Sequence, residues 1–492
     1  MNILLILPIL FPIISGALVG IINFKSRKAR NIWVLGSSLI NSVIILVLIL
    51  NSASIGKLVL FDIAMDLPIA LSLDGMSRVF AGLIAFLWPL AVSYALEYMV
   101  HEGGENIFYT FYMITYGITC GIAFSATLVT LYMFYEFLTL VTLPIVMHGM
   151  KEKNIAAGKK YVLYSIGGAA FAFVCMVVAL NYAPNLNFTY GGVFTGAYSD
   201  TTLFILRLVF VMGFFGFGVK AAVFPFHGWL PTASIAPTPV TALLHAVAVV
   251  NCGAFAIMRL IYFIFGTKLL YGTAAQYICL TMSLVTILFG STYALKEQHF
   301  KRRFAYSTIS NLSYMLFGAA LMTPGGLAGG LAHFVFHGII KITLFFVAGI
   351  MLCKYEKADV DDLYGVGRKM KITFACFTIA GVALMGVPPT IGFVSKWMLL
   401  QAGAATSGGA LGKAGMAVIL VSALLTAAYV LSIVIRAYFP GPGFDYSKLE
   451  EVKDPGWFMK LPLLLLAATI VLLGIFSHPL VEFLTKVAGG LV

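Results

Sequence analysis

The stretch GFFGFGVKAAVFPFHGWLPTASIAPTPV, residues 213–240, decides how the chain is read. It separates two apolar runs, Leu203 to Phe224 and Thr241 to Phe265, each long enough to cross a bilayer, for which about 20 helical residues suffice. Three glycines precede Lys220, Pro225 follows it, and Pro231, Pro237 and Pro239 come next. The second run carries His245, Asn251 and, nearer its end, Arg259. Irregular backbone and ionisable groups at membrane depth are tolerated only where protein or a water-filled cavity surrounds them. That pairing is the usual form of an ion path in a transporter. The competing reading is a snorkelling lysine, with its ammonium in water and its stem along lipid.

Composition sets the class. Of 492 residues, 61% are hydrophobic and 10% charged, against roughly 25% charged in a soluble domain. The expectation is an all-α, polytopic membrane protein of about fourteen spans, with no room for a sizeable soluble domain. The spans are read at 2–23, 32–50, 77–99, 107–125, 127–149, 160–182, 203–224, 239–265, 275–295, 304–323, 327–353, 373–400, 414–438 and 459–484. Positive charges follow the first apolar run instead of preceding it, which favours an uncleaved first helix over a signal peptide.

Lysine and arginine placement tests the count. Alternate loops hold 21 of them, beginning with Lys25, Arg27, Lys28 and Arg30, and the opposite side holds only Lys57, Lys268, Lys413 and Lys486. The positive-inside rule then places both termini outside a prokaryotic cytoplasmic membrane. The same asymmetry accounts for the net charge of +12 without nucleic acid. Six scattered cysteines form no C-x-x-C and supply no iron–sulfur ligand set, and no Walker or dinucleotide loop is present, so no cofactor is expected in this chain. Asp62, Asp66 and Asp74 read as a solvated outer loop, and Leu449 to Lys460 as a mixed-charge inner loop able to touch a soluble partner.

The charges inside the spans carry the chemistry. Of nineteen carboxylates only Glu136 lies mid-span, and unpaired it would cost several kcal/mol or be protonated. Lys220 is its candidate partner; a purely structural buried pair is the alternative. In LAHFVFHGIIKITLFF, His333, His337 and Lys341 recur every four residues and share one helix face. Imidazole titrates near neutrality, as a desolvated amine can, so the three form a candidate proton relay. H-x-x-x-H could also chelate, but no third ligand is evident and a nearby lysine opposes a metal. In MGVPPTIGFVSKWMLL, Pro388 and Pro389 break the span ahead of Lys396. GFGVK (216–220) and GFVSK (392–396) share Gly-Phe-x-x-Lys, 176 residues and five helices apart. An odd number of helices between copies reverses their orientation, which suggests two inverted five-helix repeats with broken helices near Lys220 and Lys396. The expected organisation is a three-helix segment (1–106), a first repeat (107–265), a second (275–438), and a C-terminal loop and last helix (439–492).

Four stretches resemble one family: 219–259, 291–315, 333–349 and 386–400. The chain is similar to the antiporter-like membrane subunits shared by respiratory complex I, membrane-bound hydrogenases and Mrp cation/proton antiporters, over nearly its whole length. The resemblance implies that Glu136 and Lys220 are the family's fifth-helix glutamate and seventh-helix lysine. It makes Lys341 the central lysine of the eleventh helix, flanked by His333 and His337, and Lys396 the twelfth-helix lysine of the exit half-channel. His245 matches an eighth-helix histidine of some members. Several members carry lysine where this chain has Asn251, so His245 must bridge here; His227 joins Asn251 as a path or structural residue. No long lateral helix follows the fourteenth span, so the distal complex I subunit, which carries one, is not the expected identity.

The mechanism expected is a relay. Glu136 stabilises charged Lys220. When the pair separates, the proton passes by His245, water, His333 and His337 to Lys341 and then Lys396. Energy would come from a partner's electron transfer, through an iron–sulfur or hydrogenase module beside other membrane subunits, or from another ion's gradient in an Mrp-type Na⁺/H⁺ antiporter. An organic-solute transporter fits less well, because the charges are spread over several helices. A non-conducting scaffold does not need four intramembrane lysine and glutamate sites.

Overall fold

The computed structural model describes residues 2–63, 67–405 and 409–491, and nearly all of it is helix. The N-terminal part comprises α1 (Leu7–Ile21), α2 (Arg27–Leu50) and α3 (Gly75–Glu102), with the short strands β1 (Leu58–Asp62) and β2 (Pro68–Leu71) between the last two. Next come α4 (Glu105–Phe124), α5 (Leu128–Val146), α6 (Glu152–Leu180), α7 (Asp200–Gly218), α8 (Trp229–Ala233), α9 (Thr238–Ala246) and α10 (Val249–Arg259). The short α11 (Thr267–Leu270) leads into α12 (Ala274–Lys296), α13 (Phe300–Ala320) and α14 (Pro324–Tyr355). The chain closes with α15 (Val366–Lys369), α16 (Lys371–Met385), α17 (Ile391–Ala404), α18 (Gly409–Tyr438), α19 (Trp457–Ile475) and α20 (His478–Gly489).

Among the described residues, twelve helical stretches are long and apolar enough to cross a membrane. The other two expected spans are α13, which is more polar but buried along most of its length, and the broken pair α16/α17. Local sequence sets the starts. Thr127, Ser199 and Thr323 accept hydrogen bonds from backbone N–H groups in the first turns of α5, α7 and α14, and Pro324 follows the last cap. The α14 helix is the axis of the molecule: it is buried from Gly326 to Met351 and packs against α9, α13, α16 and α17.

The breaks fall where proline and glycine predict them, with differences in detail. α7 stops at Gly218, so Lys220 stands beyond the helix in the irregular 219–228 segment, not within the span as expected. The 373–400 span divides at 386–390, where a Cβ on Gly392 would overlap the Ala383 carbonyl; the two half-helices therefore approach only through glycine. The 239–265 span also breaks, between Ala246 and Val249. The 459–484 span is two helices, α19 and α20, the second lying on α14 and α3.

The outer loop needs correcting. The two antiparallel strands sit where only a solvated segment was expected, and Asp66 lies outside the described residues. Asp74 is not solvated: it caps α3 by accepting from the Ser77 N–H at 2.9 Å and binds Arg259 through both carboxylate oxygens. Arg259 is fully buried, donates to Ser77 Oγ at 2.9 Å, and is wrapped by the rings of Phe188, Phe255 and Phe263. The mixed-charge loop 449–460 turns part of its charge into the protein. Asp454 accepts from the N–H groups of Ile372 and Thr373, capping α16.

Candidate ion path

Lys220, His245, Asn251, His333, His337, Lys341 and Lys396 are all buried; Glu136 is half-buried. None of the three lysines has a carboxylate within ion-pair distance among the described residues. Each is held by carbonyls or hydroxyls instead. Burying an ammonium this way is costly.

The first half is built on α5 and the broken α7. Lys220 turns back across the break, donates to the Tyr135 carbonyl and places its ammonium 3.4 Å from the centre of the Tyr135 ring. Tyr135 is itself fixed by donating its hydroxyl to the Phe217 carbonyl at 3.0 Å. The neighbouring Glu136 is close enough to feel the Lys220 charge, yet the two do not touch, and buried Glu136 Oε1 has no partner. The expected ion pair is therefore open in this structure. His227 lies in the same break, against the rings of Phe224 and Phe289.

The middle is built on the α9/α10 break. Asn251 donates to the Ala246 carbonyl at 2.9 Å, an acceptor freed where the helix stops. That gives Asn251 a structural task, and its Oδ1 remains unpartnered. His245 stacks on Phe345, bonds Ser234 Oγ through Nε2 at 3.3 Å, and leaves Nδ1 unpartnered. Gly338 makes the crossing of α14 possible here, since a Cβ on it would lie 2.8 Å from the Ala246 carbonyl.

The second half is a connected network on α13, α14 and α17. Asn311 donates its amide to the Ser307 carbonyl at 2.7 Å, which leaves its oxygen to accept from His333 Nε2 at 3.2 Å. The neutral imidazole then carries its proton on Nε2, and Nδ1 accepts from the Ser395 hydroxyl at 3.0 Å. The His337 ring is 6.2 Å from that of His333, and both its nitrogens are buried without a partner. Lys341 donates to Ser307 Oγ at 2.6 Å and to the Phe304 carbonyl at 3.2 Å; Ser307 continues to the Tyr429 hydroxyl at 2.6 Å. Lys396 donates to the carbonyls of Leu384 and Met385, at 2.7 and 3.0 Å, and so caps the end of α16 across the break. Among the described residues no group of three His, Cys, Asp or Glu side chains is placed to hold a metal.

With this geometry in view, the comparisons with known proteins are specific. The family model described as NADH:quinone oxidoreductase/Mrp antiporter, TM, matches residues 125–426. The chain belongs to this family. NADH-quinone oxidoreductase subunit N of Desulforudis audaxviator is 31% identical over 432 residues, covering 84% of this chain and 83% of its own. Two solved structures share the fold. One is the membrane-bound sulfane sulfur reductase, an archaeal respiratory membrane complex, with TM-score 0.87, 22% identity and coverage of 99% and 97% of the two chains. The other is the Mrp complex from Dietzia sp. DQ12-45-1b, with TM-score 0.84, 20% identity and coverage of 100% and 98%.

In this antiporter-family chain, sequence reading missed two groups. The first is Ser307, Asn311 and Tyr314, which line one face of α13 toward Lys341, His333 and Lys396. Their i, i+4, i+7 spacing in an apolar helix was the available signal. The second surrounds a cavity of about 1210 Å³ on the side of the basic loops, lined among others by Glu102, Lys160, Ser234, Glu297, His299 and Lys301. Lys301 had counted only as a loop charge. It is buried and donates to the Ala236 carbonyl at 2.8 Å. Ser234 belongs both to the cavity wall and to the His245 hydrogen bond, so the cavity ends one hydroxyl away from the middle of the path.

Proposed function

We propose that the chain is the ion-translocating subunit of a multi-subunit, redox-driven complex in a prokaryotic cytoplasmic membrane, with protons moving through Glu136, Lys220, His245, His333, His337, Lys341 and Lys396. One observation carries this reading. Three lysines and three histidines, Lys220, Lys341, Lys396, His245, His333 and His337, are buried in the helical bundle, and Glu136 Oε1, His245 Nδ1 and both nitrogens of His337 are among the buried polar atoms without a partner. Buried polar atoms are nearly always satisfied, and in this reading water completes the chain at these positions.

The residues divide the work. Glu136 draws charge onto Lys220 when the two close and releases it when they part. Ser234 and His245 connect the inner cavity to the middle of the path. His337 exchanges protons with water on both sides of its ring, and Lys341, steadied by Ser307, passes charge toward Lys396. Glu136 also argues for company. It lies on α5 near exposed Phe137 and Leu140, and a half-buried carboxylate facing lipid is expensive. Another membrane subunit covers it in the assembled complex. The redox chemistry, iron–sulfur or hydrogenase, belongs to a partner. The basic loops face the cytoplasm and both termini lie outside.

Native purification from its own membrane tests this assignment. Co-purifying redox subunits support it. Only small membrane partners, with sodium-driven proton exchange in vesicles, would replace it with the Mrp-type reading, which the Dietzia fold likeness keeps in view.

A further inference from the structure

Away from the ion path, a groove of about 420 Å³ opens between α3, α14, α19 and α20. Its walls are apolar, from Leu83 and Phe86 to Val335, Ile339 and Leu472, with one cation, Arg78, at its mouth. Arg78 stands in the first turn of α3, so the groove runs from it about 12 Å toward Phe86 at 1.5 Å per residue. Its position relative to the hairpin puts this mouth at the membrane face opposite the basic loops.

Among the described residues Arg78 has no counter-ion. Asp74, one turn away, is committed to Arg259. No carboxylate lies within ion-pair distance of Arg78 among the described residues. Its contacts are a 3.4 Å hydrogen bond to Ser52 Oγ and the Phe483 ring at 5.2 Å, and its buried Nε has no partner. A second cavity of about 460 Å³ adjoins the mouth, shares Arg78 and Phe483, and adds Lys486. Lys486 is paired with Glu482 at 2.7 Å, which leaves Arg78 as the unmatched charge of the two among the described residues. An anion at the mouth joined to a hydrocarbon chain in the groove satisfies both parts.

We propose that this groove binds one anionic phospholipid of the leaflet opposite the basic loops, with its phosphate on Arg78 and a hydrocarbon chain along Leu83 and Ile339. A guanidinium matches a phosphate by paired, charge-assisted hydrogen bonds. The chain would press on the relay helix, because Val335 and Ile339 flank His337 and Leu83 stands against Gly338. Binding itself does not rest on the proposed ion path.

The test uses the purified complex, stripped of lipid in detergent and titrated with phosphatidylglycerol, read by native mass spectrometry and by thermal midpoint. Wild type should take up one tightly held phosphatidylglycerol with a raised midpoint. Arg78→Gln should weaken that uptake at least tenfold. Gly82→Phe should block it with the charge intact, since a Cβ there meets only Ile49 at 3.8 Å and the new ring fills the groove. If Arg78→Gln fails to assemble, Gly82→Phe decides alone. Unchanged uptake in the variants overturns the proposal. So does equal uptake of phosphatidylcholine, equal stabilisation by inorganic phosphate, or a quinone or partner helix found in the groove.

Discussion

Lys220 and Lys396 share the Gly-Phe-x-x-Lys spelling but stand on opposite sides of their breaks. Gly216 to Lys220 runs off the end of α7, whereas Gly392 to Lys396 begins α17 after the break. The consequences differ. Lys396 caps the last carbonyls of α16 and holds two half-helices together. Lys220 reaches back to a mid-helix carbonyl of α5, beside a carboxylate it does not touch. The first half thus sets a carboxylate beside its lysine without contact, whereas the second holds its lysines on hydroxyls and carbonyls alone. Under the proposed function the first half is the tunable source and the second the relay it feeds, and the short sequence match falls at a helix break in both.

The largest expected effect separates the two lysines. Glu136→Gln and Lys220→Ala should each lower coupled ion translocation at least tenfold in reconstituted complex while leaving assembly unchanged. A Lys220→Ala complex that falls apart would break the contrast. Asp74→Asn supplies the opposite control. Leaving Arg259 buried without its partner should cost about 3 kcal/mol of stability, seen as faster thermal inactivation, with translocation per assembled complex unchanged. Burial works against the Asp74 charge, but Arg259 outweighs it and holds the carboxyl below its usual range. The pair's contribution is therefore complete above the ordinary value of about 4 and is lost as pH falls through the lowered one, so wild type and Asp74→Asn should converge only in acid.

Smaller effects sharpen the account of the second half. Lys396→Ala should lose translocation and also about 1–3 kcal/mol of stability, because two helix-end carbonyls lose their donor. Ser307→Ala, which removes one hydroxyl from Lys341 and Tyr429, should cost about 1 kcal/mol and slow translocation several-fold, measured as ions moved per turnover.

The breaks near Lys220 and Lys396 were legible because their causes are local: proline at 225, 231, 388 and 389, and glycine beside them. The burial of His333, His337 and Lys341 together on α14 was legible because four-residue spacing places side chains on one face. The Asp74–Arg259 pair was not, since its partners are 185 residues apart and Asp74 sits in a polar segment that reads as solvent. Lys301 was hidden by its own neighbours, because in KRR it counts toward charge asymmetry and only packing shows it buried. The structural task of Asn251 was not legible, because its bond to the freed Ala246 carbonyl depends on a break that no proline announces.

The most direct test of the central claim is ion translocation by the assembled complex carrying His337→Ala together with Lys341→Ala, in sealed vesicles with the driving reaction running. The account predicts loss of translocation with normal assembly and partner content. Translocation at the wild-type rate would reduce these residues to packing groups and contradict the path.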